Sequence, residues 1–342
     1  MAETTMFTKA HTLPRNESAT LKDVAKSVGV SESLASVVLN GSRSGTRVSA
    51  ATRARVIEAA EMIGYRQSTV TRSLFTGKAN RLGLYSGFML DHPGSPFATE
   101  MMAGFYKGAR ANNVDLLVHT FGDGSSACRV SDLLRNQSID GLILHAMAKD
   151  PVLALLGEAR IPVIAIADQF DQIPSVCSDD RAGGAMAARY LYESGHRHVV
   201  TSIAHTRSGN ERLAAFSEMA QNLGLAITPS EGWGFLLSPH DIKVLTRESD
   251  RATAVFVWND ENAIAICEQL VALGIDIPEQ VAVIGYDGYD IVFGHKMRLT
   301  TIQASWRNVA LEAVNLLMSL IDGKSVPTLT SLPVHLKLGN TA

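Results

Sequence analysis

Residues 20–41, TLKDVAKSVGVSESLASVVLNG, constrain most tightly what this chain can fold into. Apolar positions recur at three- and four-residue spacing through Val24, Ala25 and Val28, and again through Leu34, Ala35, Val38 and Leu39. The one interruption is Gly29-Val30-Ser31. Its glycine can take positive φ after the first helix, and its serine can N-cap the second. Thr20, with Asp23 three residues on, makes a capping-box-like start. The small Ala25 facing the turn lets two short helices cross closely, as a DNA-reading helix-turn-helix requires. After a Gly/Ser/Arg loop, Ser49 is placed to cap a third helix with an inner stripe of Val56, Ile57, Ala60 and Ile63, ended by Gly64. The pattern predicts a three-helix head over residues 20–65.

The charge is distributed to match. Residues 20–79 carry nine Lys/Arg against four acids, whereas the whole 342-residue chain is net −3. A basic head on an acidic body suits a polyanion reader attached to something that is not one. Cys128, Cys177 and Cys267 lie far apart, are odd in number and form no CxxC, which argues against a disulfide framework or structural metal and fits a reducing cytoplasm. Residues 1–19 are polar, with no apolar stretch of a secretion signal, and read as a disordered arm. No apolar run approaches the ~18 residues of a membrane span. Residues 66–79 form a short basic linker.

From residue 80 the pattern becomes α/β. Short apolar runs at 82–86, 115–121, 141–146, 162–167, 198–204, 253–258 and 281–287, with a last one near 331–338, alternate with amphipathic stretches. The helix candidates lie around 97–112, 126–137, 181–194, 210–223, 260–273 and 306–322. Continuous apolar strands suit parallel sheets covered on both faces, and two successive βαβ series predict two doubly wound subdomains. Such sheets bind ligands at the carboxyl ends of their strands, so a cleft between the two is the expected small-molecule site.

TLKDVAKSVGVSESLASVVLNG, RVSAATRARVIEAAEMIGY and RSLFTGK resemble the head and hinge of the lactose/galactose-repressor (LacI/GalR) family. Residues 80–342 resemble that family's periplasmic-binding-protein-like core through SPF, DGLIL, IPVIAI, SDDRAG, SGHRHV, NERLAAF, WNDENAIA, IPEQVAVIGYDG and LTTI, in that order. The resemblance implies that the second helix, about Glu32–Asn40, enters the major groove. Ala35, Val38 and Leu39 would pack inward, with Glu32, Ser33, Ser36 and Val37 facing DNA and Thr20, Leu21 and Asn40 beside them. It also implies that residues 66–79 form a hinge helix, with Val70, Arg72 and Leu74 at the minor groove and Leu74 as an apolar wedge. Where the family usually has Thr-Val-Ser-Arg, this chain has Leu34-Ala35-Ser36-Val37. Val37 suits a thymine methyl rather than guanine, and Glu32 could accept from cytosine N4, so the operator should differ from the usual family palindrome.

For the cleft, the resemblance carries over Phe97, Asp179, Ser208, Arg212, Asn259 and Asp287, with Asp168, Phe235 and Trp233 as weaker additions. Arg212 and Asp287 sit where the family holds a ligand hydroxyl or acidic group, and Phe97 could stack on a sugar ring. Asp179 equally fits a helix cap, as do Asn259 and Asp260. The family's frequent Gln after TTI-x is Ala304 here. The function implied is a cytoplasmic, homodimeric DNA-binding transcriptional repressor. It would bind palindromic double-stranded operator DNA under control of a small effector, a sugar or sugar derivative, with no cofactor, metal or membrane. A transporter's solute-binding protein would share the core fold, but it would need a secretion signal and no head. An enzyme is disfavoured, since no GxGxxG opens the first βα unit and no P-loop, GxSxG or HExxH is present.

Overall fold

The structure, a computed structural model, describes residues 19–40, 48–65, 77–86, 94–119, 132, 134–135, 138–202, 204–232, 235–294 and 296–342. The chain divides into two compact units, Met1–Ala79 and Asn80–Ala342.

The first unit holds α1 (Leu21–Val28), α2 (Glu32–Asn40) and α3 (Ala50–Met62). Thr20 and Asp23 make a reciprocal capping box, and Gly29 closes α1 in the left-handed region at φ 72°. Ser31 Oγ accepts from Leu34 N at 3.2 Å, and Ser49 Oγ from Thr52 N at 3.1 Å, so each following helix opens on a serine. Val24, Ala25, Val28, Ala35, Val38, Val56, Ala59 and Ala60 form the small core. Arg55 ties α3 back to the end of α1 by donating to Val28 O at 2.8 Å. The stripe of α3 differs from expectation. Ala59 takes an inner place beside Val56 and Ala60, while Ile57, one residue and about 100° of helix past Val56, and Ile63, at the helix C-cap, are exposed.

The second unit has two six-stranded sheets. The first is built from β1 (Arg81–Ser86), β2 (Asp115–His119), β3 (Gly141–His145), β4 (Val163–Ile166), β5 (Ser175–Ser178) and, late in the chain, β13 (Leu329–Leu332). Its order is β13-β5-β4-β3-β1-β2, parallel throughout. Helices α4 (Pro96–Ala111) and α9 (Trp306–Ile321) pack together beside it. The second sheet contains β6 (His198–Thr201), β7 (Ala226–Pro229), β8 (Ala254–Phe256), β9 (Ala282–Asp287), β12 (Thr300–Gln303) and β14 (His335–Lys337). Its order is β14-β12-β9-β8-β6-β7, with β14 antiparallel to β12. Helices α5 (Asp180–Glu193), α6 (Arg207–Leu223), α7 (Pro239–Thr246) and α8 (Asp260–Ala272) belong to this lobe, and β10 (Val292–Phe293) pairs with β11 (Met297–Arg298) as a small hairpin.

The chain passes between the lobes three times: from β5 to α5, from β12 to α9 and from β13 to β14. The stretch expected as one strand near 331–338 is therefore two strands, one in each sheet, separated around Pro333, whose ring supplies no N–H to a ladder. Of the expected helix 126–137, only residues 132, 134 and 135 are described, and these are helical. No helix among the described residues is long and apolar enough to cross a membrane.

Candidate functional site

Strand order places the carboxyl ends of β3, β4, β8 and β9 around one cavity of about 130 Å³ between the lobes. At its base lies Arg212, 2 % exposed. It reaches this position because Gly184 lets α5 lie directly on α6: a Cβ there would sit 2.0 Å from Arg212 O. Arg212 Nε donates to Asp180 Oδ1 at 2.7 Å, and Nη1 donates to Trp258 O at 2.8 Å while lying 3.7 Å from Asp287 Oδ1. The guanidinium stacks 3.6 Å from the centre of the Tyr286 ring. Burial opposes its charge, but Asp180, Tyr286 and Asp287 overcome that and hold it protonated above its ordinary value.

Asp287 ends β9 with φ 131°, a region rarely taken by a residue with a side chain, and it accepts from Trp306 Nε1 at 3.1 Å. Burial pushes its carboxyl up to about 8; Arg212 opposes the rise and Asp260 adds to it. Asp260 itself rises to about 6 through burial, against hydrogen bonds from Thr301 and the Tyr289 and Gly288 amides. Across the cleft, Asp168 Oδ1 accepts from Ser208 N at 2.8 Å and Oδ2 from Arg207 N at 3.3 Å, a carboxylate on the positive end of α6. Ser95 Oγ donates to Glu261 Oε1 at 2.6 Å. These bonds close one lobe on the other. Phe97 meets Trp306 edge-on at 4.9 Å between ring centres and His145 at 5.4 Å, and burial brings His145 down to about 4, leaving it neutral.

Phe97, Asp168, Ser208, Arg212, Asn259 and Asp287 thus line one cavity. Asp179 does not. It caps α5, accepting from Ala182 N at 3.0 Å, and its neighbour Asp180 faces Arg212 instead. Phe235 is 58 % exposed and not part of the lining, and Trp233 lies outside the described residues. Asn259 lines the cavity and also caps α8, accepting from Asn262 N at 2.9 Å. Sequence reasoning missed His145, Trp258, Glu261, Tyr289 and Trp306 as wall residues. The strand-end rule could have found His145 and Trp258. Glu261 and Trp306 arrive from first helical turns, where no pattern marked them.

On the head, Glu32 and Ser33 are exposed and Ser36 and Val37 half-buried on α2, with Ala35 and Val38 turned inward. Thr20 is exposed in its capping box, while Leu21 is half-buried against the head core. Asn40 ends α2. Val70, Arg72 and Leu74 lie outside the described residues, so the hinge helix and its wedge are not described either.

A helix-turn-helix head and a two-lobed core with a cavity at its strand ends define the class: a DNA-binding regulator carrying a ligand-sensing module. Residues 20–73 match the family described as bacterial regulatory proteins, lacI family, and residues 188–341 match the periplasmic binding protein-like domain. The HTH-type transcriptional repressor PurR of Aliivibrio fischeri is 30 % identical over 319 residues, covering 90 % of this chain and 93 % of that one. The ribose operon repressor of Haemophilus influenzae is 26 % identical over 297 residues, 83 % of this chain and 86 % of the other. A crystal structure of the Lac repressor dimer bound to operator and the anti-inducer ONPF shares the fold at 23 % identity, with a TM-score of 0.76 over 95 % of this chain and 99 % of that one. This chain belongs to the LacI family. It is a transcriptional regulator and not an enzyme.

Proposed function

We infer that this chain is a cytoplasmic repressor working as a homodimer on a palindromic operator, with a small molecule, a sugar or sugar derivative, as its effector. Each dimer half presents Glu32, Ser33, Ser36 and Val37 of α2 to the major groove. Phe97, Ser208, Arg212, Asn259 and Asp287 form the effector site. The observation carrying this reading is the cavity at the strand ends, walled by both lobes and bridged by Asp168 to α6 and Ser95 to Glu261. A ring entering there contacts both lobes at once, so it changes their relative free energy and, by linkage, operator affinity.

The test is operator selection by the full chain from a random duplex library, followed by anisotropy at several salt concentrations. A steep log–log salt slope is expected. Val37→Arg is expected to move the preference at its base position to guanine, by about 1–3 kcal/mol of discrimination. A flat salt slope, or selection unaltered by that substitution, overturns the assignment of α2.

A further inference from the structure

Ser95 stands at the N-cap of α4 and does not cap it. Its backbone is extended, at φ −65° and ψ 125°, and its carbonyl accepts the first intrahelical bond, from Thr99 N at 3.1 Å. A hydroxyl so placed ordinarily accepts from an amide of the first turn, as Thr206 does for α6 and Ser238 for α7. The Ser95 hydroxyl makes no such bond. It is turned to the other lobe instead, where it donates to Glu261 Oε1 at 2.6 Å. A serine oxygen can donate and accept together, but only from a rotamer that suits both partners. The rotamer that reaches Glu261 leaves the first turn of α4 without a side-chain cap, and that turn carries Phe97, a wall of the cavity.

The lobes are bridged again where Asp168 Oδ1 accepts from Ser208 N at 2.8 Å. Ser95, Glu261, Asp168 and Ser208 all line the one cavity. The two bodies are joined by three short crossings, so a motion that parts them breaks both bridges, and either bridge keeps the other within bonding distance.

We propose that Ser95 is a two-position latch: with the lobes together its hydroxyl holds Glu261, and with the lobes apart it returns to cap α4. Closing the empty cleft therefore exchanges a helix cap for a bond to a carboxylate. The second outweighs the first by a small margin, which leaves the cleft shut but able to open. The latch belongs to the cleft already assigned to the effector, but its test needs no effector, so its failure leaves that assignment standing.

Hydrogen exchange on the full chain, without effector or DNA, tests it at the Ser208 amide. That N–H lies in the first turn of α6, where no carbonyl of its own helix can accept it, and Asp168 protects it from the other lobe. Its exchange rate therefore follows the open fraction of the cleft. Glu261→Ala removes the latch and leaves Ser95 free to cap, so Ser208 should exchange about tenfold faster. Ser95→Ala removes latch and cap together, and the two losses partly cancel, so the rise should be only about twofold. Ser95→Asp caps α4 well, donates nothing to Glu261 and sets a second carboxyl against it, so its rise should exceed both. The interior amides of Ala215 and Phe216 in α6 should keep their wild-type rates in all three variants, because parting the lobes does not unfold the helix. A Ser208 amide unprotected in the wild-type chain, or a rate unmoved by Glu261→Ala, would overturn the latch. A larger rise in Ser95→Ala than in Glu261→Ala, or a smaller one in Ser95→Asp, would overturn the return to the cap. A rise shared equally by Ala215 and Phe216 would show general destabilisation and overturn both.

Discussion

The head and the cleft are held by interactions of opposite range. In the head, the caps join residues three apart: Thr20 with Asp23, Ser31 with Leu34, Ser49 with Thr52. In the cleft, Asp180 meets Arg212 from 32 residues away, Asp168 meets Ser208 from 40, and Ser95 meets Glu261 from 166. The first kind forms with its own helix and survives small changes elsewhere. The second exists only once distant segments have come together, α5 on α6 for Asp180 and Arg212 and lobe on lobe for the other two, and it places buried charge where water cannot compensate a missing partner. A ligand can therefore act on the cleft in a way it cannot act on the head caps.

The sharpest way to break this contrast is to remove one partner from each region. Asp180→Ala strands the buried Arg212 guanidinium, and the core should lose about 3–5 kcal/mol in denaturant unfolding, with effector binding lost. Ser49→Ala removes one cap from α3 and should cost about 1 kcal/mol. Comparable costs for the two would show that the buried pair is not what holds the cleft wall.

Next in size is a difference in sign. Asp287 and Asp260 are raised above their ordinary value by burial. The folded core therefore keeps protons that the unfolded chain releases, so their contribution to stability is greatest at low pH and declines as pH rises from about 4 through about 8. Asp23 is the reverse. Hydrogen bonds from Thr20 lower it, so its contribution is present above the ordinary carboxylate range and is lost as pH falls through its depressed value. Melts followed separately for the two regions should shift in opposite directions. Asp287→Asn should flatten the core's dependence between about pH 5 and pH 8, and an unchanged slope in that variant would remove Asp287 as its source.

The same contrast explains what could be read from the sequence. Caps and short-range spacing revealed the head, its turn at Gly29 and the fold class. Arg212 was named through the family resemblance, and the structure buries it on the same helix as Phe216, four residues on. Yet Ile57 and Ile63 looked like core, because the sequence does not tell which face of α3 turns inward or that Ile63 sits at the helix C-cap. Strands β5 (SVCS), β7 (AITP) and β12 (TTIQ) escaped notice because they are four residues each, with polar residues or proline among them. Helix α7 was missed although its Ser238–Asp241 capping box is a local signal. Glu261 and Trp306 were beyond reach for a different reason: they open helices, and their meeting at the cavity depends on three crossings between lobes, which no local pattern records.

The smallest expected effect compares two left-handed positions. The head places Gly29 at φ 72°, with open space around it, whereas the core places Ala167 at φ 66° on the cavity wall. A side chain in this region costs roughly 1–2 kcal/mol, and glycine returns part of that through unfolded-chain entropy. Gly29→Ala should therefore destabilise the head by about 1 kcal/mol, and Ala167→Gly should stabilise the core by up to about 1 kcal/mol. Equilibrium unfolding of both variants reads the two signs directly. Strain held at a cavity wall is a mark of a site whose shape matters more than its stability, so effector affinity should drop in Ala167→Gly even as the fold gains. A core that is destabilised by Ala167→Gly would mean that the methyl group's contacts outweigh the strain at this position.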